Sequence, residues 1–511
     1  MHNPSFDGIA LSGFDEIGAL IAHHAQDSGH PAICFGDQVI TYGHLRDEVT
    51  RLAALLRELP LKHGDRVLML ARNSPDYLLN YLAVAEVGAV FIPLHIELAP
   101  AEIAYIARHA QPALVIADPE LRENLAAVGL PNDFPVWAPT WHCGRIPAEA
   151  VANSSGKYRC SPDDEVLICY TSGTTSLPKG VVATHRVEMA SAASFGTMWQ
   201  VTREDIFTVA LPLSSLFGLH TASFVALAHG ATVRLLPRFN PILALEAIET
   251  TKPTVFLGVP TMYAMMLEHV RQTGKHYDTS SIRLSVASGA ALPKSLKESC
   301  KELLGLDIQE YYALSEVRPV FLPDLRRDEP IPEGSSGYLA PDTEARILDD
   351  MGQPVQEGTV GSLFLRASSL MKGYFRDPER TDAAVRGGWF ETGDLVRKEG
   401  NFYFLVGRTR DQIICGGSKI AATEVEDVLL RHEGVAAAAV VGIPDEKYGQ
   451  VVKAVVVPRE GVVLTAEALT DHCAKVLTYY KVPRSFSFVE RLPLGPTGKV
   501  LKRELEAAAL P

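Results

Sequence analysis

Long apolar runs are missing from this chain. The longest clean stretch, from Val435 to Ile443, is too short to span a bilayer. Positive charge is also in deficit: 48 Lys and Arg stand against 61 Asp and Glu. The formal net charge of -13 has the wrong sign for a surface that attracts nucleic acid or anionic lipid as a whole. Any anion the protein binds must be held locally. No Lys or Arg precedes Arg46, so the N-terminus has neither the charged opening of a signal peptide nor the Arg-rich pattern of a transit peptide. The seven cysteines are scattered, odd in number and without a C-x-x-C pair. That argues against structural zinc and a disulfide framework, and for a reducing compartment. These absences lead us to expect a cytoplasmic protein with no membrane and no nucleic-acid partner.

What is present is core material. The chain has 511 residues, of which 47% are hydrophobic, enough for a large core divided into about three domains or subdomains. Residues 66–71, 90–94, 114–117, 166–170 and 254–259 are short, mostly apolar and rich in β-branched or aromatic side chains, the pattern of buried strands. Between them lie segments of helical period, such as 42–59, where Leu45, Val49, Leu52, Leu55 and Leu56 share a face. Strand and helix alternate over most of the chain, which predicts an α/β protein with doubly covered, mostly parallel sheets. From about Asp342 the texture changes to Gly-rich hairpin-like pieces, read as a small β-barrel-like subdomain. A compact α+β unit follows, with helices near 424–432 and 466–476 and strands at 436–441 and 451–457. The expected division is a large N-terminal domain, 1–409, and a small C-terminal domain, 410–511.

The most informative segment continues directly from an apolar strand: Thr171, Ser172, Gly173, Thr174, Thr175, Ser176, Leu177, Pro178, Lys179, Gly180. Glycines let backbone amides surround an oxyanion, hydroxyls add donors, and a lysine supplies a point charge, a combination suited to a triphosphate. A Ser/Thr-rich surface turn has the same composition, so composition alone leaves both readings open. A Walker loop is excluded, because Lys179 precedes its glycine instead of following one.

This T-S-G-T-T-x-x-P-K-G order closely resembles the signature loop of acyl-adenylate-forming enzymes: acyl-CoA synthetases, luciferases and nonribosomal adenylation domains. Further motifs appear in that family's order. Tyr312-Ala313-Leu314-Ser315-Glu316 is similar to its Y-G-x-T-E, and the run from Trp389 to Asp394 to its W-F-x-T-G-D. Gly407-Arg408-Thr409-Arg410-Asp411 is similar to G-R-x-x-D, and Gly416-Gly417-Ser418-Lys419 with Glu424-Val425-Glu426 to its glycine turn and E-V/I-E helix. Pro496-Thr497-Gly498-Lys499 stands where its late lysine belongs. The resemblance runs from about Ile40 to Leu505.

It implies activation of an organic acid by ATP, giving acyl-AMP and pyrophosphate. Both reactants are anions, so the site must supply cations and donors where charge builds up. By the resemblance, the loop from Thr171 through Ser172, Gly173, Thr174 and Thr175 to Lys179 holds the β- and γ-phosphates, Glu316 coordinates Mg²⁺ and Ser315 reaches the α-phosphate. Asp394 accepts from the ribose hydroxyls, Arg408 donates to the same sugar, and Tyr312 lies against adenine beside Ser288, Gly289 and Ala290. Lys499 enters the site to bridge carboxylate and α-phosphate. The C-terminal domain then rotates about Arg410 for the second half-reaction.

The acid pocket is expected from Ser214, Ser215, Phe217, Gly218, Gly258, Val259, Pro260, Ser288, Gly289, Leu314 and Arg318. It is small and mostly apolar, with room for a compact cyclic, aryl or medium-chain acid. Arg318 reads either as a partner for a polar group on the acid or as a structural salt bridge, and His220 as a packed histidine. Four positions, at three places in the chain, depart from the family's pattern. Ser214 and Ser215 replace an aromatic residue and a histidine, Ala313 replaces a glycine, and Ala422 a proline on the face that meets the second substrate. They leave adenylation intact and weaken the default acceptor, CoA. The alternatives are an amino acid, as in coronafacate–amino acid ligases, a carrier protein, or a nucleotide-binding module without catalysis.

Overall fold

The computed structural model describes residues 16–121, 125, 136–137, 160–171, 178–290, 292–416, 418–459, 461–493 and 500–507. Two seven-stranded sheets make up most of the larger part. In the first, Ile308–Glu310, Leu284–Ala287, Val255–Gly258, Ile206–Val209, Thr232–Leu235 and Pro31–Phe35 lie side by side and pair in parallel, with Gln38–Thr41 antiparallel at the edge. In the second, Glu165–Thr171, Val90–Pro93, Arg66–Leu70, Leu114–Ala117 and Val136–Trp137 pair in parallel. Lys179–Thr184 and then Gly373–Tyr374 are added antiparallel beyond Glu165–Thr171.

The continuous apolar strands are explained by cover on both faces. Side chains alternate along a strand, so Val67 and Met69 enter one apolar cluster while Leu68 and Leu70 enter the other. The helix Tyr42–Glu58 is capped by Thr41, whose hydroxyl accepts from the amide of His44 at 3.3 Å, and it buries Leu45, Val49, Leu52 and Leu56. Leu55, expected on that face, is only half-buried, being turned away from the stripe by its place in the 3.6-residue period.

An antiparallel sheet of Thr343–Leu348, Gly361–Ala367, Trp389–Glu399, Val385–Arg386 and Phe402–Arg408 forms the expected β subdomain. A single 3₁₀ turn, Thr409–Asp411, leads from it into the last sheet, built of Ser418–Ala421, Gln412–Cys415, Gly449–Pro458, Val435–Asp445 and Ser485–Phe488. That sheet packs with helices Ala422–Leu430 and Ala466–Ala474 around its own apolar cluster, which includes Val425, Leu429, Val452, Val456 and Leu469. A large N-terminal domain and a small C-terminal one result, joined by contacts such as the hydrogen bond from the Thr423 hydroxyl to the Val406 carbonyl. Among the described residues no helix is long and apolar enough to cross a membrane.

Candidate active site

Four neighbouring parallel strands, Ile206–Val209, Val255–Gly258, Leu284–Ala287 and Ile308–Glu310, end at the same edge of their sheet. The segments that follow them are 210–218, 259–260, 288–290 and 311–318. Residues far apart in sequence are thus set side by side outside the carboxyl ends of the strands, the usual place for a ligand crevice in such sheets. Aromatic packing ties two of these segments together: the rings of Phe217 and Tyr311 are 5.4 Å apart, centre to centre.

Ser215 uses its hydroxyl locally. It donates to the Pro212 carbonyl at 2.8 Å and accepts from the Gly218 amide at 3.1 Å, opening the π-helical turn Phe217–Phe224. The turn demands glycine at 218, because a Cβ there would lie 2.2 Å from the Pro212 carbonyl oxygen. Gly289 has φ +91°, a conformation side-chain-bearing residues rarely adopt.

Thr171 and Lys179 face each other across the antiparallel pair Glu165–Thr171 and Lys179–Thr184. Lys179 Nζ donates to Glu316 Oε1 at 2.6 Å and to the Tyr374 hydroxyl at 2.7 Å; that hydroxyl donates to Glu316 Oε1 at 2.9 Å. Lysine, carboxylate and phenol therefore form a closed triangle. Tyr374 is a residue the sequence reading missed, brought in by the two-residue strand Gly373–Tyr374 against Val181 and Val182. Beside the triangle the Thr171 hydroxyl oxygen is buried and has no hydrogen-bond partner among the described residues. An orphan hydroxyl, an ammonium and a carboxylate at the root of a Gly- and hydroxyl-rich loop suit a phosphate chain with its divalent cation. Ser172, Gly173, Thr174, Thr175 and Lys499 lie outside the described residues.

A second cluster sits at the other end of the 312–316 segment. Asp394 is 2% exposed and lies opposite Arg408 in the strand pair, with Arg408 Nε 3.1 Å from its Oδ1. The Tyr312 hydroxyl donates to Asp394 Oδ2, and burial, with the charge of Asp394, pushes that hydroxyl well above the usual tyrosine range. The Tyr312 ring also stacks on Phe321, 5.5 Å away, so one face is occupied by core packing. Ser288 and Leu314 are half-buried, Gly289 and Ala290 exposed, and Arg410 lies in the 3₁₀ turn between the domains.

Arg318 and His220 are buried behind this edge. Arg318 is paired with Glu188, the salt bridge offered above as one of its two readings; His220 is packed at 0% exposure, as expected.

The profile of the AMP-binding enzyme family matches residues 21–375, and that of the AMP-binding enzyme C-terminal domain matches 424–499. The chain belongs to the AMP-binding enzyme family. Over 494 residues this AMP-binding enzyme is 34% identical to the feruloyl-CoA synthase of an Amycolatopsis species, covering 96% of this chain and 98% of that protein. Its fold is similar to that of ATP-bound MatB from Rhodopseudomonas palustris, with TM-score 0.86 and 29% identity over 96% of this chain and 98% of the other. The amide bond synthetase McbA from Marinactinospora thermotolerans is similar to the same degree, with TM-score 0.86 and 29% identity over 97% and 100%. Both the acyl-adenylate-forming superfamily and the two-domain α/β fold expected from the motifs are thereby shown.

Proposed function

We propose that the protein is an ATP-dependent carboxylate ligase that forms acyl-AMP and passes the acyl group to the thiol of CoA. The observation that carries this reading is the pair of clusters at the two ends of one short segment. Tyr312 belongs to the Asp394–Arg408 group and Glu316 to the Lys179–Tyr374 group. They stand four positions apart in the chain, so their Cα atoms lie within about 14 Å. One nucleotide can touch both, its sugar at the first and its phosphates at the second.

Asp394 accepts from the ribose hydroxyls, with Arg408 as a further donor, and Tyr312 with Ser288, Gly289 and Ala290 borders the base. Lys179, Thr171 and residues 172–175 hold the β- and γ-phosphates, and Ser315 the α-phosphate. Glu316 would hold Mg²⁺, which when bound neutralises charge on the phosphate oxygens. Tyr374 orients Lys179 and Glu316. A carboxylate oxygen attacks the α-phosphorus, pyrophosphate leaves, and Lys499 brings its charge between the two anions during that step. The domain beginning at about residue 410 then turns about Arg410. The sulfur of CoA attacks the acyl carbon, AMP leaves, and the thiol proton passes to solvent.

CoA as acceptor is supported by the 34% identical feruloyl-CoA synthase, whose aromatic acyl group also suits the compact, largely apolar pocket expected from 214–218, 258–260, 288–289 and 314. A specific observation favours a second acceptor, an amine: the side chain of Ser215 is committed to a backbone cap, where the family's usual histidine would line the entrance, and McbA shares the fold to the same degree. The test is incubation with ATP, Mg²⁺ and a panel of aryl, cyclic and medium-chain acids, followed by CoA or an amino acid mixture, with products identified by mass. Thioester without amide supports CoA and amide without thioester the amine; no AMP with any acid overturns the ligase reading.

A further inference from the structure

Behind residues 312–318 lies a polar network that the reaction described above does not use. Glu188, on the helix His185–Trp199, and His220, on the π-helical turn, are wholly buried, and Arg318 is 3% exposed. Arg318 Nη2 donates to Glu188 Oε1, and its Nη1 donates to the Ser315 carbonyl at 3.1 Å. His220 bridges Glu188 Oε2 at 2.7 Å and the Ser191 hydroxyl at 2.6 Å, and the Tyr81 hydroxyl donates to Glu188 at 3.2 Å. Burial works against charge on Glu188, but Arg318 and His220 outweigh it and hold the carboxyl well below the usual carboxylate range.

A buried ion pair is a weak stabiliser, often matched by uncharged residues of similar volume. Its geometry here does something uncharged residues would not. The guanidinium is a planar fork: fixing one arm on Glu188 aims the other at the carbonyl immediately before Glu316. The same turn is held by the Met371 amide on the Glu316 carbonyl at 2.8 Å and by the Leu314 amide on the Val317 carbonyl at 2.9 Å. We propose that Glu188 and Arg318 are positioning residues for adenylation, holding the Ser315–Glu316 turn where the phosphates and their cation meet it. This rests on the ligase reading above.

The decisive variant is Glu188→Gln with Arg318→Gln, which removes both charges together and leaves an amide to accept from His220. Melting temperature, Mg·ATP affinity by calorimetry without acid, and the kinetics of pyrophosphate release are compared with the parent. A displaced turn lowers kcat/KM for ATP by about tenfold or more, weakens Mg·ATP binding severalfold and leaves KM for the acid within twofold. Parental Mg·ATP affinity and kcat/KM for ATP, whatever the melting temperature, overturn the proposal. Should the double variant not fold, Arg318→Lys alone decides: it keeps the buried charge on Glu188 paired but loses the two-armed fork, so a threefold loss of Mg·ATP affinity is expected and parental affinity contradicts the proposal. A parent that yields no pyrophosphate with any acid refutes the ligase reading instead, a result distinct from either outcome in the binding measurement.

Discussion

Replacing Tyr374 by Phe removes one oxygen from the triangle with Lys179 and Glu316 and nothing else. The ring still packs beneath Lys179, whose Nζ lies 4.4 Å from its centre, and the 2.6 Å contact between Lys179 and Glu316 is untouched. A hydrogen bond to a charged group contributes about 1.5–3 kcal/mol. The surviving ion pair keeps the loss near the lower end, so kcat/KM for ATP is expected to fall about tenfold, at about 1.4 kcal/mol per decade. Because Tyr374 touches the phosphate side only, KM for the acid should stay within twofold and transfer from supplied acyl-AMP should be unchanged. The assay is pyrophosphate release with ATP and acid varied in turn. A Phe variant with parental kcat/KM for ATP, or one whose defect lies in KM for the acid, refutes the role given to this hydroxyl.

Gly218→Ala forces a Cβ against the Pro212 carbonyl oxygen at 2.2 Å, a clash with backbone that no rotamer relieves. A several-degree loss of melting temperature and a raised KM for the acid are expected, the second checked by steady-state kinetics. Lys499→Ala should abolish acyl-AMP formation yet retain transfer from supplied acyl-AMP to the acceptor; loss of both steps would contradict the division of labour between domain positions. Burial lowers His185 and His229 to about 4. Both are neutral in either state above 6.5; below it the unfolded chain takes up protons first, so stability falls as pH drops from 6.5 to 4, by at most about 3 kcal/mol for each histidine. His229→Asn, which can still donate to the Val225 carbonyl, should flatten that acid limb in thermal melts recorded from pH 7 to 4.

Apolar period and residue type were enough to locate the strands 66–70, 90–93, 114–117 and 255–258 to within a residue or so, because both faces of these sheets are buried and their side chains have no polar alternation. The change from hairpin texture to an α+β order, a change of period, falls near the 3₁₀ turn Thr409–Asp411. The residues of the candidate site could be read only as ordered motifs. Parallel register, which sets Ala287 opposite Glu310, is what brings the segments 288–290 and 311–318 side by side despite their distance in sequence. Tyr374 escaped notice because its role depends on a two-residue strand pairing with a partner almost two hundred residues earlier. Glu188 escaped for a different reason. An acidic residue in the first turn of a helix reads as a solvated side chain favoured by the helix dipole, and only the fold reveals that Arg318 and His220 are packed over it.

Isotope transfer tests the central claim, attack of a carboxylate oxygen on the α-phosphorus, most directly. The acid is labelled with ¹⁸O in both carboxyl oxygens, turned over with ATP, Mg²⁺ and the acceptor that proves active, and the AMP is weighed by mass spectrometry. One ¹⁸O in each AMP released is the expected result, since the oxygen that attacked phosphorus stays with it when the acyl carbon is taken by the acceptor. Unlabelled AMP, or ADP in its place, would contradict the account.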